Sequence, residues 1–408
     1  MILEALLASA RHLSKTSPHS SIQSFGLEQI GRAQANALTF LLVLGEFYDL
    51  FPESPTLRDA MKISHVEFFT LFLATFVLVG ALTPLARRIA ISKKIVDNPN
   101  QGHKTHREPV PYLGGVAIMI GIIAIAISAL VLSDFTVNAF SLASSVLGPA
   151  LLLGLIGLWD DIKNLSPLPR FIAQTSAGVF TAILLIRNDT VANPTGSMTL
   201  DVVITIVWIV GICNSINFFD NLDGGAAGTI AISSVALAML ALFGNQNVIA
   251  ALATVTAGAT LAFLIWNKSP ARIYMGDAGA LFLGVLIATL TIRFEPSAET
   301  LLGSFATPLL LLAVPILDTT VAVLSRLRRR ISPFQGGRDH LSHRLIRKGI
   351  SRRAAAFILW GLSALFALIP LLISQCNGGE GGNERFMIYG AGVLWAGLFV
   401  FFFASADE

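Results

Sequence analysis

Runs of roughly 20 apolar residues recur along most of this chain, each closed by a short polar loop. That is the length a helix needs to cross a bilayer, and in lipid every backbone N–H and C=O must find its partner within the protein. From residue 66 onward the runs fall near 66–87, 113–133, 140–159, 170–187, 199–218, 225–243, 248–266, 279–293, 301–324, 354–374 and 386–404. They are continuous rather than alternating, so helices fit and barrel strands do not. The expectation is an all-α, polytopic integral membrane protein with about eleven transmembrane helices. Composition agrees, since 13% of the residues are charged where a soluble domain carries roughly 25%.

Residues 1–65 differ in kind. They are polar, mixed and rich in Ser, and their one apolar run, LTFLLVL at 38–44, is too short to span. No order of basic segment, apolar core and small-residue cleavage site marks a signal peptide. The stretch reads either as a poorly ordered N-terminal extension or as residues upstream of a natural start at Met61. Residues 66–408 are expected to form one membrane-embedded domain, with no soluble second domain.

Lys and Arg set the orientation. The loops 87–112, 160–170, 267–278 and 325–353 hold twenty of the 28 basic residues, and the opposite loops hold only Arg187, Arg293 and Arg385. The first set is therefore expected on the cytoplasmic side of the plasma (inner) membrane, together with the C-terminus. A net charge of +3 is too small to argue for nucleic acid. Of the two cysteines, Cys213 lies in an apolar stretch and Cys376 in a loop, which excludes a disulfide scaffold or a CxxC metal site.

The polar residues gather on that same side. GLWDDIKNLSP (157–167) places Asp160 and Asp161 directly after an apolar run. Two like charges at a lipid edge need a cation or basic partner; one of them with a raised pKa also suits a general base. The bland reading is two solvated loop carboxylates, with Asp161 capping a helix. In CNSINFFDNLDGGAAG (213–228), Asn214, Asn217 and Asp220 are spaced by three and share a helix face. Asp223 then precedes two helix-breaking glycines. Such oxygen donors suit Mg²⁺, which prefers one or two protein oxygens plus waters and substrate phosphates; the alternative is a polar turn. ARIYMGDAGALFLG (271–284) sets Asp277 after a glycine just before a span, as a site residue or as a helix N-cap.

SPFQGGRDHLSHRLIRKG (332–349) puts His340 and His343 in a dense basic loop with Arg338. Arg and His recognise phosphate, whereas the Arg-rich run at 326–330 reads more simply as a contact with anionic lipid. DNPNQGHKTHREPVPYLGG (97–115) carries Lys104, His106 and Arg107, either at a phosphate or as an ordinary positive-inside loop. Asp318 stands alone within the apolar run VPILDTTVAVL, where a carboxylate is costly. It is expected either to pair with an arginine of 326–330 or to serve the site. Together these groups outline a cytosol-facing pocket for a divalent ion and a phosphorylated substrate, and phosphoryl transfer is mainly positioning plus charge stabilisation. A transporter would hold its polar groups near the bilayer midplane instead, and a non-catalytic scaffold for polymer synthesis would need no such pocket.

These five motifs, in this order from about residue 66 to 350, resemble the polyprenyl-phosphate N-acetylhexosamine-1-phosphate transferases. The resemblance implies transfer of a sugar 1-phosphate from a UDP-N-acetylhexosamine such as UDP-GlcNAc to undecaprenyl (polyprenyl) phosphate. UMP is released in an early membrane step of cell-envelope polysaccharide synthesis. It also implies Mg²⁺, or Mn²⁺ in its place, and a multi-pass protein in contact with membrane lipids; a homodimer is left open. By the same resemblance Asp277 and Asn217 hold the metal, and Asp160, Asp161 and Asp277 are catalytic, with Asp160 orienting or deprotonating the lipid phosphate. Lys104, His106, Asn214, Asp220, Asp223, Arg338, His340 and His343 are expected near the nucleotide or phosphates. The chain departs from the family's pattern at three positions. His103 replaces a frequent arginine, Asn221 stands where a glycine follows the first aspartate, and Ser342 stands where a third histidine is common. The RDHLSHRL form is nearer to the branch that starts O-antigen, teichoic acid or arabinogalactan-type polymers than to the peptidoglycan branch.

Overall fold

The computed structural model describes residues 64–97, 110–132, 137–163, 167–187, 195–296, 301–333, 337–375 and 382–405. Apart from its last two residues, the expected N-terminal extension lies outside them, as does the segment carrying Lys104, His106 and Arg107. The described residues fall in one compact unit, Met61–Glu408.

The described residues are helical nearly throughout. Helix α1 spans His65–Ser92 and opens on a capping box, in which the Ser64 hydroxyl accepts from the Glu67 N–H and Glu67 accepts from the Ser64 N–H. The strands β1 (Val96–Asp97) and β2 (Val110–Pro111) form one short antiparallel pair. Then follow α2 (Gly114–Leu132), α3 (Val137–Lys163), α4 (Pro167–Arg187), α5 (Met198–Phe219), α6 (Gly225–Phe243) and α7 (Asn247–Asn267). The remaining helices are α8 (Gly276–Arg293), α9 (Leu301–Leu311), α10 (Ala313–Arg328), α11 (Leu341–Arg347), α12 (Arg352–Gln375) and α13 (Gly382–Ala404).

Every apolar run expected to span does carry helix, but the count of eleven spans changes. Among the described residues nine helices are long and apolar enough to cross a membrane. The run 301–324 is not one straight helix: α9 and α10 meet at a bend of 77°, and the pair counts as a tenth crossing if it is one broken span. Pro308 lies one turn before the break, and Pro315, which has no N–H, leaves the Leu311 carbonyl without its helical partner; side chains from other helices bond the backbone here. Ser233 donates to the Leu311 carbonyl (2.6 Å) and Trp395 Nε1 to that of Ala313 (3.0 Å), as buried backbone in lipid requires. The apolar part of α4, Phe171–Ile183, is shorter than a span.

Helix α8 is the axis of the fold. It is apolar on all sides and 89% of its spanning window is buried inside the protein. A helix hydrophobic all round belongs in the interior. Helix α3 packs along it so closely that a Cβ on Gly157 would lie 2.4 Å from the Asp277 carbonyl oxygen. Only glycine permits that approach, and it brings the end of α3 beside the start of α8.

Candidate active site

The end of α3, the end of α5 and the start of α8 meet at one end of the helix bundle. Asp161, in the last turn of α3, accepts from the backbone N–H groups of Asp277 (2.8 Å) and Ala278 (3.0 Å). One carboxylate thus satisfies two of the orphan donors at the N-terminus of α8. Gly276 makes this possible twice over. Its φ is +72°, and a Cβ there would sit 2.5 Å from Asp161 Oδ2. Of the readings open to the Asp-Asp pair, capping fits Asp161, and the helix it caps lies more than a hundred residues ahead in the chain. Asp160 beside it is buried at 4% exposure.

Asp277 itself is met from α5. Asn217 Nδ2 donates to Asp277 Oδ1 at 2.8 Å, which leaves the Asn217 amide oxygen as an acceptor. Asp220, at the C-cap of α5, is half-buried, and among the described residues nothing donates to its carboxylate. Its pKa lies well above the usual carboxylate range, first through burial and then through the negative fields of Asp277, Asp161 and Asp223. Asp223 accepts from the Ala271 N–H (3.2 Å), and the Gly224 N–H donates to Asn267 Oδ1 (3.0 Å). These bonds clip the turn after α5 to the segment that leads into Asp277. The other side of that segment is pinned by β2 and α2. Tyr274 N–H donates to the Pro111 carbonyl (2.9 Å), and Gly115 N–H donates to that of Met275 (2.8 Å).

Asp277, Asn217 and Asp220 are hard oxygen donors grouped with Asp161 and Asp223, a set of a kind that could hold Mg²⁺. Among the described residues no three His, Cys, Asp or Glu side chains already surround one point. Asn214 is not joined to this group. Its amide donates to the Val210 carbonyl of its own helix (2.8 Å).

The histidine motif lies beside the end of α5, where the His340 and Phe218 ring centroids are 6.2 Å apart. Asp318, fully buried in α10, accepts from the Leu341 N–H (2.7 Å) and lies 2.7 Å from His340 Nδ1. Among the described residues it bonds neither a member of the 326–330 run nor Asp277, Asn217 or Asp220. Arg326 Nη2 sits 3.2 Å from His340 Nε2. Arginine can only donate, so Nε2 accepts and Nδ1 carries the hydrogen that Asp318 receives. Both ring nitrogens of His340 are therefore engaged within the protein. His343 is more open. Burial, then the neighbouring His340, pushes its pKa down to about 4. Arg338 is exposed, and its carbonyl accepts from Arg347 (2.8 Å).

Sequence reasoning passed over three members of this network. Arg326 was grouped with a lipid-facing run, yet its side chain is 3% exposed and bonds Asp339 (3.1 Å). Asp339 also takes Arg329. Arg344 is fully buried and reaches the Asp339 carbonyl, Ser325 Oγ and the Phe402 carbonyl of α13. A signal was present for Arg326 alone, as the first residue of the run and nearest the apolar segment.

The sequence pattern described as glycosyl transferase family 4 matches residues 143–295, which hold the Asp-Asp pair, the α5 end and Asp277. A decaprenyl-phosphate N-acetylglucosaminephosphotransferase of Mycobacterium leprae is 30% identical over 76% of this chain and 84% of its own. The chain belongs to this family. A probable undecaprenyl-phosphate N-acetylglucosaminyl 1-phosphate transferase of Bacillus subtilis is 29% identical over 83% of this chain and 89% of the relative. A phospho-N-acetylmuramoyl-pentapeptide-transferase of Staphylococcus carnosus is 28% identical over 74% and 96%. The family member described here is thus a multi-pass membrane protein of the polyprenyl-phosphate N-acetylhexosamine-1-phosphate transferase group, matched along most of its length.

Proposed function

We propose that the protein transfers an N-acetylhexosamine 1-phosphate from a UDP-sugar to a polyprenyl phosphate, releasing UMP, at the cytoplasmic face of the plasma membrane. The observation that carries this reading is the Asn217–Asp277 bond (2.8 Å) beside an Asp220 carboxylate that nothing described neutralises. The names of the relatives supply the lipid phosphate and the amino sugar. The cytoplasmic placement rests on the basic loops at this end of the bundle.

Asp277 and the Asn217 amide oxygen, with Asp220 near, would hold Mg²⁺, which neutralises charge on the donor diphosphate when bound. The residues of the chain then do the rest. Asp161 fixes Asp277 through the backbone of α8. Asp160 orients the lipid phosphate, a monoester already largely ionised near pH 7. One of its oxygens attacks the phosphorus attached to the sugar. The bond from that phosphorus to the oxygen of UMP breaks, UMP leaves with the electron pair, and a new diphosphate joins lipid and sugar. Arg338 and Lys104 supply positive charge around the phosphates, and His343 and His106 supply hydrogen-bond donors.

The test is nucleotide release. Detergent-purified protein is mixed with undecaprenyl phosphate, Mg²⁺ and UDP-GlcNAc. Release of UMP that depends on both lipid and metal supports the reading. Release of UDP means ordinary glycosyl transfer and overturns it. Neither nucleotide, across a panel of UDP-sugars, returns the protein to a transport or scaffold role.

A further inference from the structure

Asp318 lies in α10 at 0% exposure, outside the residues that the family pattern matches. Each of its oxygens takes one N–H from the histidine motif: Oδ1 accepts from Leu341 (2.7 Å), and Oδ2 lies 2.7 Å from His340 Nδ1. At the other ring nitrogen Arg326 donates to His340 Nε2 (3.2 Å). Arg326 is itself held by Asp339 (3.1 Å) and the Pro333 carbonyl (2.7 Å). The bonds therefore run one way, from arginine through the imidazole to the carboxylate. The same motif is seated on the end of α5. Phe218, the residue after Asn217, has its ring 6.2 Å from that of His340 and 5.7 Å from the Arg326 guanidinium. The Ser342 hydroxyl donates to Asn221 Oδ1 in the turn that follows.

We propose that Asp318 is a positioning residue of the transfer reaction, which holds the loop helix α11 through His340 and Leu341 and so places His343 at the phosphates. Helix α11 is seven residues long, too short to keep its shape without tertiary bonds. A carboxylate suits the task because it accepts with both oxygens, whereas an asparagine brings an N–H in place of one of them. In D318N that N–H meets either the Leu341 N–H or the imidazole. Where it meets the imidazole, His340 must carry its hydrogen on Nε2, which then faces the donor Arg326. Each arrangement sets two donors against each other in a buried place, so α11 gives way. A carboxylate within an apolar helix is costly, and these two bonds are what offset that cost. His343 is the half-buried histidine of the motif, with its ring 6.2 Å from that of His340, so a shift of α11 carries it along.

The positioning claim rests on the transfer reaction proposed above, so the test has a spectroscopic and a kinetic readout. In protein labelled with ¹⁵N-histidine, with H340Q used to assign the signals, His340 is expected as the neutral Nδ1–H tautomer near pH 7. D318N is expected to remove that form. An Nε2–H or doubly protonated His340 in wild type overturns the proposal. UMP release is then compared for D318N, H343Q and the double variant, per mole of folded protein. In D318N kcat is expected to fall about ten- to hundredfold, the worth of one hydrogen bond to a charged group. The KM of each substrate is expected to stay within about twofold. Because Asp318 acts through His343, the double variant is expected to be no slower than H343Q, within about twofold. D318N with the wild-type kcat, or effects that multiply in the double variant, overturn the proposal. H340Q breaks the same chain at its middle and is paired with H343Q in the same way, so the cycle is read even where D318N does not fold. If wild type releases no UMP, the transfer reading fails and takes the positioning role with it. UMP release with multiplying effects sinks the positioning role alone.

Discussion

Asp161 and Asp277 are both carboxylates at one end of the bundle, but their oxygens have different duties. Both oxygens of Asp161 accept backbone N–H groups, so an amide in its place can accept with only one. D161N should cost about 0.5–2 kcal/mol, the range for loss of a helix cap, and lower turnover by letting Asp277 shift. D277N keeps the shape and the cap but removes a charge worth several kcal/mol at a metal. It should leave the unfolding midpoint near wild type while Mg²⁺-dependent UMP release falls on the order of 10³-fold. Melting curves and metal titrations of the two variants check both; equal effects on stability would void the division of labour. His343 adds a pH dependence. Its folded pKa is about 4 against roughly 6.5 in an unfolded chain. Between those values the unfolded state binds more protons, so the protein loses stability as pH falls below about 6.5. H343Q should flatten that slope in midpoints measured from pH 4 to 7.

At the scale of elements, the bent pair α9–α10 shows how a broken span is tolerated. The Ser233 hydroxyl serves the Leu311 carbonyl at 2.6 Å. In S233A that carbonyl is left buried without the bond, and the midpoint should drop by the equivalent of about 1–3 kcal/mol. Because α10 carries Asp318, which holds His340 and Leu341, a larger displacement would also be read as lost turnover. The apolar run 301–324 looked like a single helix because hydropathy reports burial or lipid contact and not direction. Pro308 was visible in it, but a proline alone does not say whether a helix kinks or turns aside. The other expected spans were legible, and the boundaries of α5, α6, α7 and α8 follow the apolar runs closely, whereas the β1–β2 pair and the loop helix α11 follow no apolar run.

For the whole molecule, orientation makes the clearest prediction. A cysteine probe in S332C, after the basic run, should react with a membrane-impermeant reagent only from the cytoplasmic side. E295C, after the far end of α8, should react only from the opposite side. Glu295 and Ser332 are both exposed, native Cys213 is buried, and both probes are placed in a C376S background because the sequence puts Cys376 in a loop. Labelling of both from the same side would overturn the assignment of the site to the cytoplasmic face.

The sequence by itself determined the class of fold, the positions of its helices and the side on which its charges collect. Each of those depends on the local balance of apolar and charged residues against lipid and water. It also marked most of the polar groups that the fold brings to one end. The tertiary structure alone decided what each group does there. Asp160 and Asp161 are neighbours with the same chemistry, and only the approach of α8 at Gly157 and Gly276 gives Asp161 two backbone donors. His340 and His343 read alike, and only the burial of Asp318 and Arg326 around the first separates them. Asn221 and Ser342 read as two unrelated departures until the turn after α5 and the loop helix α11 met. A partner distant in the chain leaves no trace in local composition, so the role of a polar side chain stays open until its neighbours are fixed.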